Sequence, residues 1–219
     1  MCGRFSIPDQ ELVMLDVFGD KLKAKWKERF NVAPSQDIPA IKSPTEFSMI
    51  RWGLIPSWAK ELSIGNKMIN ARAETVSEKP SFRSAFKKRR CLIISNGFFE
   101  WKKEGSKKQP YYIFMKGHEP FCFAGLWEKW VSPEGEVIES GTILTTDAND
   151  LLQSIHNRMP VIIPKEKYFS WLSPETSDTE LKKLLIPHPS AEMDFYPVST
   201  LVNKPSNDLR ECIEEMRSS

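Results

Sequence analysis

The stretch CLIISNGFFEWKK, residues Cys91–Lys103, contains two apolar runs separated by a short polar turn. The first run, Cys91–Ser95, is rich in β-branched residues, which predicts a buried strand. In the second run Glu100 stands among three aromatic residues, and two interpretations are open. On a strand that alternates between faces, the carboxylate points to solvent. Held among its aromatic neighbours, it is desolvated, and its pKa rises toward values useful for proton transfer.

Similar short segments recur along the chain. Strands are also predicted at Phe47–Leu54, Tyr111–Lys116, Phe121–Trp127, Gly141–Thr146 and Met159–Ile163. Helices are predicted at Ser6–Asp20, Asp147–Ile155, Lys165–Leu172, Ser177–Leu185 and Ser206–Met216. Ser177 and Glu180 have the spacing of a capping box. Because helices and strands do not alternate regularly, we expect one α+β domain over residues 1–219, with a mostly antiparallel, barrel-like sheet flanked by helices.

The composition is typical of a globular protein and gives no indication of a membrane-spanning segment. The 219 residues are 40% hydrophobic and 27% charged, and no apolar run is long enough to span a bilayer. The first ten residues have no apolar signal region, so we expect a cytoplasmic location. The four cysteines form no C-x-x-C pair, which gives no indication of a zinc site or a redox motif. The sequence therefore implies no metal and no cofactor.

Charge is distributed unevenly along the chain. Residues 1–120 hold 22 Lys and Arg against 13 Asp and Glu, whereas residues 121–219 hold 9 against 16. The basic half suggests a polyanionic partner such as nucleic acid, although a solvated basic face of an ordinary enzyme gives the same counts. Trp26, Trp52, Trp58 and Trp101 lie within basic stretches, a composition typical of surfaces that stack unpaired bases. For any one tryptophan, a place in the core is the more usual explanation.

The opening residues MCGRF place a cysteine at position 2. Initiator methionine is usually removed when the next residue is small, and removal would leave Cys2 with a free α-amine beside its thiol. No interior cysteine has that pair of groups. A cysteine near a terminus where changes are tolerated is the alternative interpretation.

Histidine is the commonest group for proton transfer near neutral pH, and the chain has only three. His118 and His188 lie in turn-like segments and are expected to be exposed. His156 lies between a predicted helix and an apolar strand, where its side chain is either held rigidly for chemistry or satisfied structurally.

Polar residues at three places suit an anionic ligand. Asn70 and Arg72, two residues apart in INARAET, face the same side if they lie on a strand. Arg4 and Arg158 stand beside Cys2 and His156 in the chain, and a guanidinium is well shaped for phosphate.

Taken together, the motifs resemble those of the SOS response-associated peptidase family, also described as abasic-site processing proteins. The matching segments, in order, are MCGRF, FNVAPSQ, RWGLIPSWA, INARAET, FRSAFKKRRCLI, GFFEW, FAGLW, SIHNRMPVII and VSTLVN. They cover most of the chain from Met1 to about Asn203. Two positions depart from the family pattern: Ile94 replaces a proline and Phe99 replaces a tyrosine, which removes a phenolic hydroxyl.

The resemblance implies a function and a set of site residues. Family members bind single-stranded DNA that holds an abasic site and bond to it covalently, and their peptidase name reflects removal of their own Met1. The catalytic residues carried over are Cys2, Asn70, Glu100 and His156. The DNA-backbone contacts carried over are Arg4, Arg72 and Arg158, and we expect Trp101 to contribute to the same surface. The expected partner is single-stranded DNA with abasic sites, and no obligate protein partner is evident.

Two alternatives remain. An N-terminal-nucleophile amidotransferase also begins with Cys-Gly and uses its α-amine as a base, but the His-Thr-Arg-Trp-type segment of those enzymes is missing here. A non-covalent single-strand binding module with an inert Cys2 would share the basic, tryptophan-containing surface.

Overall fold

The computed structural model describes residues 2–9, 15–18, 22 and 25–216. The strands in these ranges are β1 (Phe5–Ile7), β2 (Arg29–Val32), β3 (Asp37–Ser43), β4 (Glu46–Trp52), β5 (Asn70–Arg72), β6 (Arg90–Ser95), β7 (Gly97–Glu104), β8 (Lys107–Met115), β9 (Phe121–Val131), β10 (Val137–Asp147), β11 (Arg158–Pro160), β12 (Ile162–Ile163) and β13 (Met193–Pro197). The α-helices are α1 (Leu15–Phe18), α2 (Arg83–Lys88), α3 (Tyr168–Leu172) and α4 (Asp178–Lys183). None of the described helices has the length and apolar character needed to cross a membrane.

Five strands close into a barrel. They are joined in the order β10, β4, β3, β6, β9 and back to β10, and only the β10–β4 pair is parallel. A second sheet, entirely antiparallel, has the order β13-β8-β7-β1-β2. The predicted α+β fold with a mostly antiparallel, barrel-like sheet is confirmed.

Strand β6 divides its side chains between two parts of the core. Cys91 and Ile93 belong to a cluster that includes Phe98 of the second sheet. Leu92 and Ile94 belong to another cluster, formed with residues of α2 and α3. This alternation is the period-two pattern of a strand that is buried on both faces, which is why the run Cys91–Ser95 predicts it correctly.

Two predicted helices are confirmed. Lys165–Leu172 forms a 3₁₀ turn over Lys165–Lys167 that continues into α3. In α4, Ser177 is the N-cap, and its hydroxyl accepts from the backbone of Glu180 while the Glu180 carboxylate accepts from the backbone of Ser177, which completes the capping box.

Two other predicted helices are wrong. In the segment Asp147–Ile155, the first residue ends β10 and only Leu152–Ser154 forms a 3₁₀ turn. The Asn149 side chain accepts from the Leu152 backbone and donates to the carbonyl of His188, so local and remote hydrogen bonds replace the helix.

The segment Ser206–Met216 contains only a 3₁₀ turn at Arg210–Cys212. Its Asp208 carboxylate instead accepts hydrogen bonds from the backbone of Phe30 and Asn31, so pairing with β2 replaces helical bonding.

The amino-terminal helix prediction, Ser6–Asp20, is partly wrong. Ser6 and Ile7 belong to β1, which pairs with β7 and β2, whereas Leu15–Phe18 is helical as α1. Residues 10–14 and 19–20 lie outside the described residues.

The predicted strand Met159–Ile163 is two strands, because β11 pairs with β10 and β12 pairs with β9. The predicted strand that begins at Phe47 ends at Trp52. Gly53 follows with a φ of 125°, and a Cβ there would lie 2.6 Å from the carbonyl oxygen of Gly65.

Candidate functional site

The candidate site begins at Cys2, immediately before β1. Strand β1 pairs with β7 at Phe5 and Phe98, and the backbone N–H of Phe99 donates to the carbonyl of Arg4 at 2.9 Å. This pairing brings Cys2 close to Glu100 in the next part of β7. Cys2 is completely buried, and its Sγ lies 3.9 Å from the carbonyl oxygen of Arg4.

Glu100 is buried, with 5% of its surface exposed, so the desolvated alternative is the one observed. Burial raises the pKa of its carboxyl above the ordinary value, and an electrostatic interaction with His156 is among the smaller effects that oppose the rise. Burial and then the negative charge of Glu100 raise the pKa of the Cys2 thiol well above its ordinary range. The pKa values of both groups are therefore raised, and the two side chains are electrostatically coupled.

Asn70 reaches the same place from the barrel. It begins β5, which pairs in parallel with β10 and opposes Ile143. Its Nδ2 donates to the carbonyl oxygen of Cys2 at 2.7 Å. Its Oδ1 is buried and accepts no hydrogen bond from the residues that the structure describes. Asn70 thus holds the backbone of Cys2 and retains an acceptor.

His156 lies in the connection between β10 and β11. Its backbone N–H donates to the carbonyl of Leu152 at 2.9 Å, and its Nδ1 accepts from the backbone N–H of Arg158 at 3.0 Å. A ring nitrogen that accepts a hydrogen bond carries no proton, so the proton of the neutral ring is on Nε2. With Glu100 within electrostatic reach, the four predicted catalytic residues form one cluster from four segments of the chain.

The other two histidines lie elsewhere. His118 is exposed and stacks on Phe114, with ring centroids 4.3 Å apart. The expectation that His188 is exposed is wrong: only 8% of its surface is exposed, and its Nε2 lies 2.9 Å from the Glu192 carboxylate. The Asn149 side chain donates to the backbone carbonyl of His188, and this hydrogen bond holds the His188 segment next to the connection that follows β10.

Arg4 is half-buried among neutral partners. Its Nη1 donates to Oδ1 of Asn31 at 2.7 Å and to the carbonyl of Val202 at 2.6 Å. Its guanidinium carbon lies 5.9 Å from the centre of a Trp101 ring. Its Nε is buried without a hydrogen-bond partner among the described residues, and no carboxylate there pairs with it. Burial lowers its pKa, as expected for a cation without a counter-charge.

Arg158 has the opposite surroundings. Its guanidinium donates to both carboxylate oxygens of Glu74, at 2.7 and 3.0 Å, and to Asp147 at 2.7 Å. It also donates to the carbonyl of Thr145 at 2.6 Å. Burial lowers its pKa, but the hydrogen bonds that Arg158 donates to the two carboxylates outweigh burial and leave the pKa raised.

The two remaining predicted DNA contacts are more accessible. Arg72 is exposed at the end of β5, and its side chain makes no hydrogen bond within the described part of the chain. Trp101 is half-buried, and its Nε1 donates to Oδ1 of Asn203 at 2.7 Å. Of the other tryptophans considered in the sequence, Trp52 is fully buried in the core, whereas Trp58 is 60% exposed.

The structure also identifies two residues to which the sequence analysis assigned no part. Asn31 is fully buried; besides accepting from Arg4, it donates through Nδ2 to the carbonyls of Val202, Lys204 and Asn207. Glu74 holds Arg158. Both lie inside matching segments, FNVAPSQ and INARAET, but nothing local in either segment indicates a partner so far away in the chain.

Metal ligation has no evident place here. Within the described ranges, no group of three or more His, Cys, Asp or Glu side chains is arranged to hold a metal ion.

Comparisons with known proteins identify the family of the chain. The family model described as "SOS response associated peptidase (SRAP)" matches residues 1–205. The chain is 45% identical over 222 residues to the abasic site processing protein YoqW of Bacillus subtilis, covering 98% of this chain and 99% of that protein. It is 32% identical to the abasic site processing protein HMCES of Xenopus tropicalis, covering 86% of this chain and 66% of that protein. A crystal structure of a protein from Bacteroides thetaiotaomicron superposes with a TM-score of 0.89 at 32% identity, covering 99% of this chain and 100% of that one. The chain therefore belongs to the SOS response associated peptidase family.

Proposed function

We propose that this protein processes abasic sites in single-stranded DNA by bonding to them covalently through Cys2, and so shields the lesion during the response to DNA damage. The single observation that carries the proposal is the cluster of Cys2, Asn70, Glu100 and His156. The names of the relatives, abasic site processing proteins in Bacillus and in vertebrates, support the same target.

The chemistry requires a free α-amine on Cys2, so hydrolysis of the Met1–Cys2 peptide bond comes first. An abasic deoxyribose opens to an aldehyde. The α-amine, with a pKa near ~8, is neutral in roughly a tenth of molecules at pH 7 and attacks the aldehyde carbon. Loss of water gives an imine. The thiol then adds across the C=N bond: sulfur bonds to carbon, the proton goes to nitrogen, and a five-membered thiazolidine closes. This second addition is intramolecular, which removes most of its entropic barrier.

The coupling between Cys2 and Glu100 suits these proton transfers. Because the pKa of the thiol is raised, it stays protonated near neutral pH and carries the proton that the imine nitrogen needs. Because the pKa of Glu100 is also raised, this carboxyl exchanges protons closer to neutrality than a solvated one. We assign Glu100 to proton transfer during sugar opening and imine formation.

Asn70 and His156 have different assignments. Asn70 holds the carbonyl of Cys2 and presents an Oδ1 that accepts no hydrogen bond from the described residues, which suits orientation of the amine and the sugar. His156, with its ring proton on Nε2, is assigned donation to a sugar oxygen and assistance in reopening the ring.

For DNA binding, we assign phosphate contacts to Arg4, Arg72 and Arg158 and a base-stacking surface to Trp101. Neither Arg4 nor Arg72 makes an ion pair with a carboxylate of the described residues, which supports their assignment, although Arg72 lies within electrostatic reach of Glu74. Binding through these residues should weaken as salt rises. The exposed ring of Trp58 is a further candidate for stacking on an unpaired base.

The decisive experiment incubates the processed protein with a single strand that carries one abasic site, followed by a denaturing gel. Cys2→Ala should lose the stable adduct but keep DNA binding, and Cys2→Ser should give a weaker product through an oxygen-containing ring. Cys212→Ala is the matched control, because Cys212 is equally buried but lies outside the cluster. An undiminished yield of stable adduct from Cys2→Ala would refute the mechanism.

The same assay separates Glu100 from His156. Glu100→Gln should slow formation of the adduct, since general acid–base groups typically contribute ~100- to 10,000-fold. His156→Ala should slow reversal at least as much as formation, with release measured by transfer to a competing abasic strand. Parental formation by Glu100→Gln, or parental reversal by His156→Ala, would make the residue concerned structural.

The two alternatives give different results. A non-covalent binding module leaves no DNA–protein band on the denaturing gel. An amidotransferase releases ammonia from glutamine, and this protein should release none.

A further inference from the structure

Arg158 forms ion pairs with Glu74 and Asp147, and these contacts link three segments of the chain near the candidate site. Glu74 follows β5, Asp147 ends β10, and Arg158 begins β11 opposite Asp147. The carbonyl of Thr145 on β10 accepts both from the backbone of Ala73 and from Nη2 of Arg158. Arg158 therefore fastens β5, β10 and β11 together.

Glu74 makes the best-formed of these contacts. Its two carboxylate oxygens take two different nitrogens of the guanidinium, the paired geometry that gives direction as well as attraction. The Arg158 side chain is 11% exposed, whereas the Glu74 side chain is 46% exposed and Asp147 is 81% exposed. Glu74 can therefore be changed without opening the core.

The backbone of the same arginine holds His156. The N–H of Arg158 donates to Nδ1 of His156, and this bond fixes both the orientation of the ring and the position of its proton. Contacts that restrict the movement of Arg158 therefore also restrict the imidazole ring of His156.

We propose that Glu74 is a positioning residue: by clamping Arg158, it sets the orientation and tautomer of His156, and it does so at the expense of DNA affinity. The clamp places two carboxylates on one guanidinium, so their negative charges oppose the attraction of Arg158 for a phosphate, and Glu74 also lies within electrostatic reach of Arg72. The kinetic and affinity consequences rest on the proposed function, whereas the effect on the imidazole does not.

Three variants test the proposal. Glu74→Ala removes both hydrogen bonds and the charge. Glu74→Gln removes the charge but keeps one acceptor. Glu78→Ala is the matched control, because Glu78 is exposed on the same segment and its side chain makes no hydrogen bond or ion pair with the described residues.

The first measurement uses protein without DNA. The ¹⁵N spectrum of its three histidines, with His156 assigned from the spectrum of His156→Ala, should show the Nε2–H tautomer in the parent and in Glu78→Ala. Glu74→Ala should show a second tautomer or an exchange-broadened ring, and Glu74→Gln should fall between. An unchanged His156 spectrum in Glu74→Ala, in protein that is folded by its unfolding curve, would overturn the proposal.

The second measurement separates binding from chemistry. At low salt, Glu74→Ala should bind an intact single strand about 2- to 5-fold more tightly than the parent, and more tightly than Glu78→Ala. At saturating abasic DNA, its reversal or formation rate should fall about 10-fold, because a misplaced group loses much of its effect. Equal affinity of Glu74→Ala and Glu78→Ala, or parental rates at saturation, would contradict the inference.

Failure of the proposed function is a different outcome. If the parent itself forms no adduct, the chemistry assigned to Cys2 is wrong. The ¹⁵N measurement still decides whether Glu74 positions His156.

Discussion

Arg4 and Arg158 flank two residues of the same site, but their guanidinium groups have opposite kinds of partner. Arg4 donates to an amide oxygen and a backbone carbonyl and lies over an aromatic ring. Arg158 donates to two carboxylates and a carbonyl. The first region presents an uncompensated positive charge held by buried neutral groups. The second presents a charge that surface carboxylates neutralise.

The difference teaches that three similar arginines near a site need not serve a phosphate equally. Attraction of an anion depends on the net charge of the group and its neighbours, and Glu74 and Asp147 offset the charge of Arg158. Rigidity also differs, because a buried amide network opposes movement more strongly than exposed ion pairs do. We therefore expect Arg4 to contribute mostly to binding and Arg158 mostly to the placement of His156.

The largest effect is expected for Asn31→Ala. This change leaves carbonyls of the carboxy-terminal segment and Nη1 of Arg4 short of a partner in the interior, and stability should fall by about 3 kcal/mol. Urea unfolding measures it. Asn66→Ala is the control: it lies exposed in the 3₁₀ helix Leu62–Lys67, where its side chain makes one solvent-exposed hydrogen bond with Ser35, and the change should alter stability by less than about 0.5 kcal/mol. A loss for Asn31→Ala no larger than that of the control would show that the Arg4 region is not the more rigid one.

Arg4→Ala should come next. Loss of an uncompensated charge should weaken binding to an intact single strand about 10-fold at low salt. The slope of log affinity against log salt should fall by about 0.7, the value for one phosphate contact on a single strand. Arg4→Lys keeps the charge and should recover part of the affinity. If Arg4→Ala binds with the parental salt slope, Arg4 contacts no phosphate.

Arg158→Ala should have a smaller effect on affinity, less than about 3-fold, because Glu74 and Asp147 already engage the guanidinium. Combined with Glu74→Ala as the background, the same substitution should weaken binding more than it does in the parent. Equilibrium binding to an undamaged strand measures both. Equal losses in the two backgrounds would remove the distinction between the two arginines.

The smallest effect is the pH dependence of the Glu74–Arg158 pair. The hydrogen bond from Arg158 lowers the pKa of Glu74. The pair therefore stabilises the folded protein fully above the ordinary glutamate pKa, and this stabilisation is lost as pH falls through the lowered pKa. A double-mutant cycle should give about 0.5 kcal/mol of coupling at pH 7, since Glu74 is partly exposed, and none at strongly acidic pH. Neither side-chain group of the Arg4–Asn31 contact titrates between these pH values, so their coupling should be the same at both. Coupling between Glu74 and Arg158 that persists in acid would mean that charge is not what holds the clamp.

Much of the fold could be predicted from local patterns. Strand β6 follows from alternating apolar residues that are buried on both faces, and α4 follows from its capping box. The helices predicted at Asp147–Ile155 and Ser206–Met216 fail for one reason. Asn149 and Asp208 make hydrogen bonds with remote backbone groups, and a local pattern does not contain those partners.

The candidate site also divides into residues that local sequence patterns indicate and contacts between remote residues that only the structure shows. Cys2, Asn70, Glu100 and His156 were found because their functional groups and surrounding motifs stand out in the sequence. The clamp and the amide network were not found, because Arg158 and Glu74 are 84 residues apart and Arg4 and Asn31 are 27 apart. The desolvation of Glu100 is an intermediate case. Its aromatic neighbours in the sequence suggest a buried carboxyl, but only the packing of β7 shows that the carboxyl is buried.

The hydrogen bond from Arg4 to Val202 joins residues 198 apart, so it forms only when nearly the whole chain has been synthesised. A ribosome that adds ~5–20 residues per second needs roughly 10–40 seconds to make the chain between these two residues. Throughout that interval the first residues lack the carboxy-terminal partner that holds Arg4, and only contacts with earlier parts of the chain, such as β7, are available to hold them. We therefore expect an enzyme that trims the amino terminus to act most readily before Val202 is made, and slower synthesis of the carboxy-terminal half to lengthen that period.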